Sequence, residues 1–225
     1  MNKYAVIVAG GSGSRMGASI PKQFLPILGK PALAYTLSAF LSAYTDMQII
    51  LVLPAEHIQR GKEILALFPE RNRISIVEGG VTRFESVKKG LFAIKAEAVV
   101  FVHDGVRCLV SEQLIRRCYE QTLVSGSAIP AVSSAESVRI LKNGQHEQVN
   151  REAVFMIQTP QTFLSAILLP AFEQEEKENF TDEASVVEAS GQKVFLTEGE
   201  YSNIKITRPI DLLIAERILE GNRPL

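Results

Sequence analysis

The chain has 225 residues, 46% of them hydrophobic and 22% charged, with a formal net charge of -1. That length can bury a sizeable core, and the composition excludes a disordered chain. A near-neutral balance leaves no excess of lysine and arginine to track a nucleic-acid backbone, so no nucleic-acid partner is expected. The two cysteines, Cys108 and Cys118, make neither a disulfide framework nor a zinc spacing, and are read as small hydrophobes. The first residues lack the length and cleavage site of a signal peptide, and no stretch approaches the ~20 apolar residues of a membrane span. A cytoplasmic protein with no membrane partner is the expectation.

Short apolar runs alternate with amphipathic segments. Residues 4–9 read as a β-branched strand ending in a glycine-rich loop, and Lys30-Pro31 as the start of a helix to about Ala43. A strand at 47–53, a helix at 55–68, a strand at 73–77 and a helix at 82–94 follow. Residues 98–103 (AVVFVH) form an almost wholly apolar strand. Ser111 caps a helix to about 124, and 127–132 is another apolar strand. Continuous apolar strands separated by helices predict an α/β fold with a mostly parallel sheet covered on both faces.

The alternation then breaks. Residues 137–141 and 145–149 flank Lys142-Asn143-Gly144, and Asn-Gly is a strong hairpin signal. The hairpin reads as an arm projecting from the sheet. It is either an ordinary edge hairpin or one that exchanges with a second subunit, and the marginal stability of a lone hairpin favours a partner surface. Helices around 170–176 and 182–189, strands at 193–196 and 203–206, and a closing helix from about Pro209 complete the chain. One domain, 1–225, with an arm at about 135–150 is the simplest organisation.

Four groups of residues carry chemistry. The first is Ala9-Gly10-Gly11-Ser12-Gly13-Ser14-Arg15-Met16-Gly17 followed by Pro21-Lys22-Gln23. A glycine-rich loop after the first strand can offer backbone N–H groups to phosphates. It lacks the Gly-Lys-Ser/Thr of a P-loop and is a poor dinucleotide fingerprint. What sets it apart is Arg15, whose fork suits two phosphate oxygens, and Lys22, a point charge. Against this stands a tight turn with two solvated cations. The second group is Gly79-Gly80-Val81-Thr82-Arg83-Phe84-Glu85-Ser86, at the sheet edge where open α/β folds bind ligands, although Thr82 also suits a plain N-cap.

The third group is His103-Asp104-Gly105-Val106-Arg107. Asp104 can hold a ribose hydroxyl or a metal ion, Arg107 can reach a phosphate, and His103 is read as a hydrogen-bonded structural residue. The fourth comprises Arg151, Thr159-Pro160-Gln161, Thr181-Asp182-Glu183-Ala184-Ser185 and Asn203-Ile204-Lys205-Ile206-Thr207. Thr181 suits a helix N-cap, and Lys205, if it points inward, needs a carboxylate or a ligand phosphate.

Taken together, the glycine loop with Arg15 and Pro21-Lys22-Gln23, GG..R..SV, HD..R, R…TPQ, TDEAS and NIK.T.P.D resemble the 2-C-methyl-D-erythritol 4-phosphate cytidylyltransferases of the non-mevalonate isoprenoid pathway. Six pieces in order span nearly the whole chain. The resemblance implies a Rossmann-like sheet, CTP and a sugar-alcohol phosphate as substrates, Mg²⁺ held mainly through the CTP phosphates, and a homodimer joined through the arms. It implies a base and ribose pocket from Ala9, Gly10, Gly80, Ser86 and Asp104, with Gly11, Arg15 and Lys22 on the triphosphate. Arg151, supplied by the partner chain, and Lys205 would position the sugar phosphate, with Ser137 and Thr181 in the same pocket. The chain departs from the family pattern at Gly10, Val81, Cys108, Asn150 and Glu136-Ser137-Val138-Arg139. Two other readings are a ribitol 5-phosphate cytidylyltransferase and a non-catalytic nucleotide-binding regulator.

Overall fold

The computed structural model describes residues 1–11 and 20–221. Strand β1 (Asn2–Val8) leads into the first loop, and a small antiparallel pair, β2 (Pro26–Ile27) and β3 (Lys30–Pro31), precedes helix α1 (Ala32–Ala43). Then come β4 (Met47–Leu53), α2 (Ile58–Leu65), β5 (Ile74–Glu78), α3 (Arg83–Phe92), β6 (Ala98–Asp104), α4 (Glu112–Ser125) and β7 (Ser127–Ser133). The hairpin is β8 (Val138–Lys142) and β9 (Gln145–Val149), which among the described residues pair only with each other. The chain continues through β10 (Phe155–Ile157), β11 (Gln161–Leu164), α5 (Ser165–Ala171), α6 (Glu183–Ala189), β12 (Leu196–Glu198) and α7 (Pro209–Gly221).

The eight-stranded sheet is mostly parallel. Strands β5, β4, β1 and β6 run parallel side by side, β11 lies antiparallel between β6 and β7, β10 pairs antiparallel with β7, and β12 pairs parallel with it. The apolar runs are continuous because the central strands are covered on both faces. Ala5, Ile7, Ile49, Leu51, Val99 and Phe101 pack under α1, α2 and α4, while Val6, Val8, Ile50, Val52, Val100 and Val102 pack under α3, α5 and α6. Helix α3 lies close to the sheet because residue 90 is glycine. A Cβ there would stand 2.6 Å from Val6 Cγ1 and 2.9 Å from Val52 Cγ2. That approach brings the first turn of α3 to the carboxyl ends of β1, β4 and β6.

Several local expectations change. Residues 203–206 are not a strand. They cross the end of the sheet as a loop held by Asn203 N–H to Glu200 O and Ile206 N–H to Val106 O. The strand placed at 193–196 is β12, at Leu196–Glu198, because β7 offers its partners only from Ile129 to Ala131. The helix placed at 170–176 is α5, earlier in the chain, with Pro170 near its end. Strands β10 and β11 went unread. Lys30 and Pro31 pair with β2, and α1 begins at Ala32. Among the described residues no helix is long and apolar enough to cross a membrane.

Candidate active site

Strand β1 sits between β4 and β6; the chain runs on from β1 to β4 on one side and from β6 to β7 on the other, which opens a crevice at their carboxyl ends. A cleft of about 370 Å³ fills it. Ala9, Gly10, Gly11, Lys22, Gly80, Ser86, Asp104 and Lys205, all singled out from the sequence, line this cleft. The first loop is tied down at its start. Gln23, 1% exposed, donates from Nε2 to Ala9 O at 2.7 Å, and Ala9 N–H bonds Val52 O. Lys22 lies in a short 3-10 turn after Pro21, is 8% exposed, and donates from Nζ to Ile206 O at 2.8 Å. Arg15 lies outside the described residues.

The opposite wall is the loop before α3. Thr82 caps the helix by accepting Glu85 N–H at 3.1 Å, and Ser86 Oγ accepts Gly80 N–H at 3.0 Å. Only glycine fits at 80, where a Cβ would stand 2.3 Å from Glu85 Cβ. Val81 is 97% exposed, with its N–H bonded to Glu85 Oε2. This wall therefore presents backbone groups, the hydroxyls of Thr82 and Ser86, the apolar Val81 and the guanidinium of Arg83.

At the floor, Asp104 gathers cations. Lys205 Nζ lies 2.9 Å from Oδ2, Arg83 Nη2 lies 3.4 Å from Oδ1, and Arg107 Nε lies 3.7 Å from Oδ2. Burial opposes charge on Asp104, but Arg83, Lys205 and Arg107 outweigh it and hold the carboxyl well below the usual carboxylate range. The partner that Lys205 requires is thus a carboxylate. Arg83 also grips the fully buried Glu183 with both prongs, Nη1 to Oε1 at 2.6 Å and Nη2 to Oε2 at 3.1 Å. Among the described residues two carboxylates face three cations, so the cluster keeps a surplus positive charge, and Lys22 lines the same cleft.

His103, behind Asp104, is fully buried. Its Nε2 meets Arg107 O at 3.2 Å and its Nδ1 meets Thr159 Oγ1 at 3.0 Å, while Thr159 Oγ1 also accepts Asp104 N–H. Burial pushes its pKa down to about 3. Burial likewise pushes the thiols of Cys108 and Cys118 up to about 12, in keeping with small apolar residues.

Other predicted residues lie elsewhere. Arg107 donates to Asn203 O at 2.8 Å, away from the cleft lining. Ser137 and Arg151 line a separate space of about 330 Å³ at the base of the hairpin, with Arg139 and Asn150. Thr181 lines neither cleft. It is also not the N-cap of α6, because Asp182 accepts Ser185 N–H and Ser185 Oγ takes Asp182 N–H one residue further on. Sequence reasoning missed Arg83 and Glu183 as a pair. Both stood inside quoted motifs, and a carboxylate on the apolar stretch Ala184-Ser185-Val186-Val187 was the available signal. Among the described residues no group of three or more His, Cys, Asp or Glu could hold a metal ion.

A family model described as 2-C-methyl-D-erythritol 4-phosphate cytidylyltransferase matches residues 4–221. The protein of that name from Phocaeicola vulgatus is 46% identical over 219 residues, covering 97% of this chain and 100% of its own length. Its namesake from Bacteroides fragilis is 47% identical over 219 residues, with the same coverage. The crystal structure of 4-diphosphocytidyl-2C-methyl-D-erythritol synthase from Anaerococcus prevotii matches with a TM-score of 0.84 at 30% identity, covering 97% of this chain and 98% of that one. With motifs, sheet and cleft all in agreement, the chain belongs to the 2-C-methyl-D-erythritol 4-phosphate cytidylyltransferase family.

Proposed function

We propose that the cleft at the end of β1 binds CTP and is where its α-phosphorus is attacked by a phosphate oxygen of 2-C-methyl-D-erythritol 4-phosphate. The new P–O bond forms as the bond from the α-phosphorus to the bridging oxygen breaks, giving 4-diphosphocytidyl-2-C-methyl-D-erythritol and pyrophosphate. Family membership over 4–221 gives the activity, and the surplus positive charge around Asp104, Lys205 and Lys22 is the observation that supports placing it here. Both reactants are polyanions that repel each other without cations, and negative charge grows on the leaving pyrophosphate. Lys22, Lys205 and Arg15 would offset that charge and fix the in-line approach. A phosphate monoester is a competent nucleophile near neutral pH, so no general base is needed.

Ala9, Gly10, Gly80 and Ser86 are assigned to the base and ribose, and Gly11 to the triphosphate. Asp104 is the carboxylate of the cleft lining and is already engaged by three cations. Mg²⁺ therefore fits this site as a partner of the CTP phosphates, where it would neutralise charge, and not on a ligand set of the protein. The test of function is pyrophosphate release with CTP and a panel of acceptors. Methylerythritol phosphate is expected to exceed ribitol phosphate in kcat/KM. Equal or better turnover with ribitol phosphate would reassign the acceptor, and no release with any acceptor would leave a binding protein.

Residues 1–225 are proposed to act as one nucleotidyltransferase unit that pairs through its arm. Among the described residues the hairpin pairs with no other strand, Ile140 and Leu141 are 48% and 67% exposed, and Phe155, Met156 and Tyr201 present further exposed apolar surface. A second chain covering this surface would bring Arg151 and Ser137 to the neighbouring cleft as contacts for the sugar phosphate. A homodimer interface of this kind buries upwards of about 1,200 Å². Light scattering at micromolar concentration is expected to give a dimer, and a fully active monomer would exclude this assembly.

A further inference from the structure

Helix α6 places a carboxylate where an apolar side chain would cost less. Glu183 is fully buried on its first turn, beside Ala184, Val186 and Val187 of the core. Replacing a buried ion pair by well-packed apolar residues is often neutral or stabilising, so retention of one points to positioning as its role. The distances say what is positioned. Both prongs of Arg83 are taken by Glu183, at 2.6 and 3.1 Å, and only a longer 3.4 Å contact remains to Asp104. Asp104 keeps its short contact, 2.9 Å, for Lys205.

A guanidinium prefers a two-pronged carboxylate partner, and it outcompetes a single ammonium for one. Arg83 lies 3.4 Å from Asp104, and its short ion pair with Glu183 turns its fork away. We infer that Glu183 is a positioning residue for the transfer reaction: by occupying both prongs of Arg83 it keeps that guanidinium from claiming Asp104, and so keeps Lys205 anchored at the edge of the cleft. The inference rests on the assignment of Lys205 to the reacting phosphates. It identifies a residue that touches no substrate yet governs the geometry of one that does. Arg83 and Glu183 lie 100 residues apart, so the pair also fixes the first turn of α3 against that of α6.

The test is Glu183→Gln, which keeps the shape and removes the charge. With Glu183 neutral, Arg83 swings to Asp104 and Lys205 loses its anchor. The expected result is a kcat lowered by roughly 10- to 100-fold, with CTP affinity within about threefold of the parent. Adding Arg83→Gln removes the competitor and should raise kcat at least about fivefold above that of Glu183→Gln. A purely structural pair would show no such recovery at equal folded fraction, which thermal melting establishes for each protein. Parental kcat in folded Glu183→Gln, or no recovery in the double variant, overturns the inference. If Glu183→Gln does not fold, the double variant decides alone: it should keep at least about a tenth of parental kcat, and less overturns the inference. Lys205→Ala separates the two levels. Parental kcat in that variant overturns the assignment of Lys205 and the inference with it, whereas a crippled Lys205→Ala beside an unaffected Glu183→Gln overturns the inference alone.

Discussion

Lys22→Ala is expected to lower kcat by a factor of roughly 10²–10³ while weakening CTP binding far less. The sequence places Lys22 directly after Pro21, whose ring fixes φ, at -59° here, and limits where the next side chain can go. The fold then buries the lysine stem and aims it along the first loop, with Cε 3.8 Å from the Cβ position of Gly11. One of its donors is held by Ile206 O, so the ammonium is preorganised before substrate arrives. In the proposed placement, ground-state CTP would still meet backbone N–H groups at Gly10 and Gly11 and the positive surplus near Asp104. Charge on the α-phosphoryl oxygens and the pyrophosphate grows only as the bond breaks, so a missing cation is felt most at that point. Single-turnover kinetics and direct CTP binding on the variant, with folding checked by thermal melting, separate the two effects. An unchanged kcat with only a raised KM would mean that Lys22 contributes uniform binding and that its catalytic assignment is wrong.

What the sequence revealed of this site followed from how each residue signals its place. Strands β1, β4 and β6 are buried on both faces, so their apolar runs are unbroken and their carboxyl ends could be located within a residue or two. The carboxyl ends of β1 and β6, the loop after β5 and the turn at Lys22 then carried Gly10, Asp104, Gly80 and Lys22 into one cleft. Strand β10 hid because it is only three residues long, and β11 because its stretch buries polar groups. Gln158, Thr159, Gln161 and Thr162 are all buried, and they bond to Glu200, His103 and Asp182 among others. A strand that internalises hydrogen-bonding side chains around Pro160 looks like a loop in hydropathy.

The opposite error occurred at Asn203-Ile204-Lys205-Ile206. The resemblance to a strand there misleads: the buried residues, Asn203 and Ile206, are three apart and not two, Lys205 reaches the cleft, and the backbone bonds across a loop and not along a ladder. The anchoring of Arg83 by Glu183 could not be read at all from spacing. It is a contact between the first turns of two helices that the sheet alone brings together. The resemblance supplied residue roles, while the structure showed that Asp104 is an ion-pair hub before any ligand arrives.

Stability is expected to fall steeply as pH drops below about 6.5, with His103 as the main cause. Burial depresses its pKa from 6.5 to about 3, so the folded chain keeps the ring neutral where the unfolded chain takes up a proton. The contribution is therefore fully present above pH 6.5 and is lost progressively as pH falls towards 3. Over that window one such group changes the unfolding free energy by up to about 1.4 kcal/mol per pH unit, on the order of a few kcal/mol in all. Asp104, whose pKa is also depressed, adds its own loss only below about 3.8, so the interval from 6.5 to 4 isolates the histidine.

The local bonds explain why the ring resists protonation. Arg107 O can only accept, which assigns the hydrogen to Nε2 and leaves Nδ1 to accept from the Thr159 hydroxyl. A second proton on Nδ1 would break that donation and leave a charged imidazolium fully buried. It would also disturb Thr159, which holds Asp104 N–H, and the backbone of Arg107, so acid should loosen the cleft floor first. Urea melts between pH 7 and pH 4 should show the parent losing roughly 1 kcal/mol per unit below 6.5. His103→Asn should start less stable, because it forfeits the bond to Arg107 O, yet run nearly flat. Equal slopes in the two proteins would place the acid lability on another group.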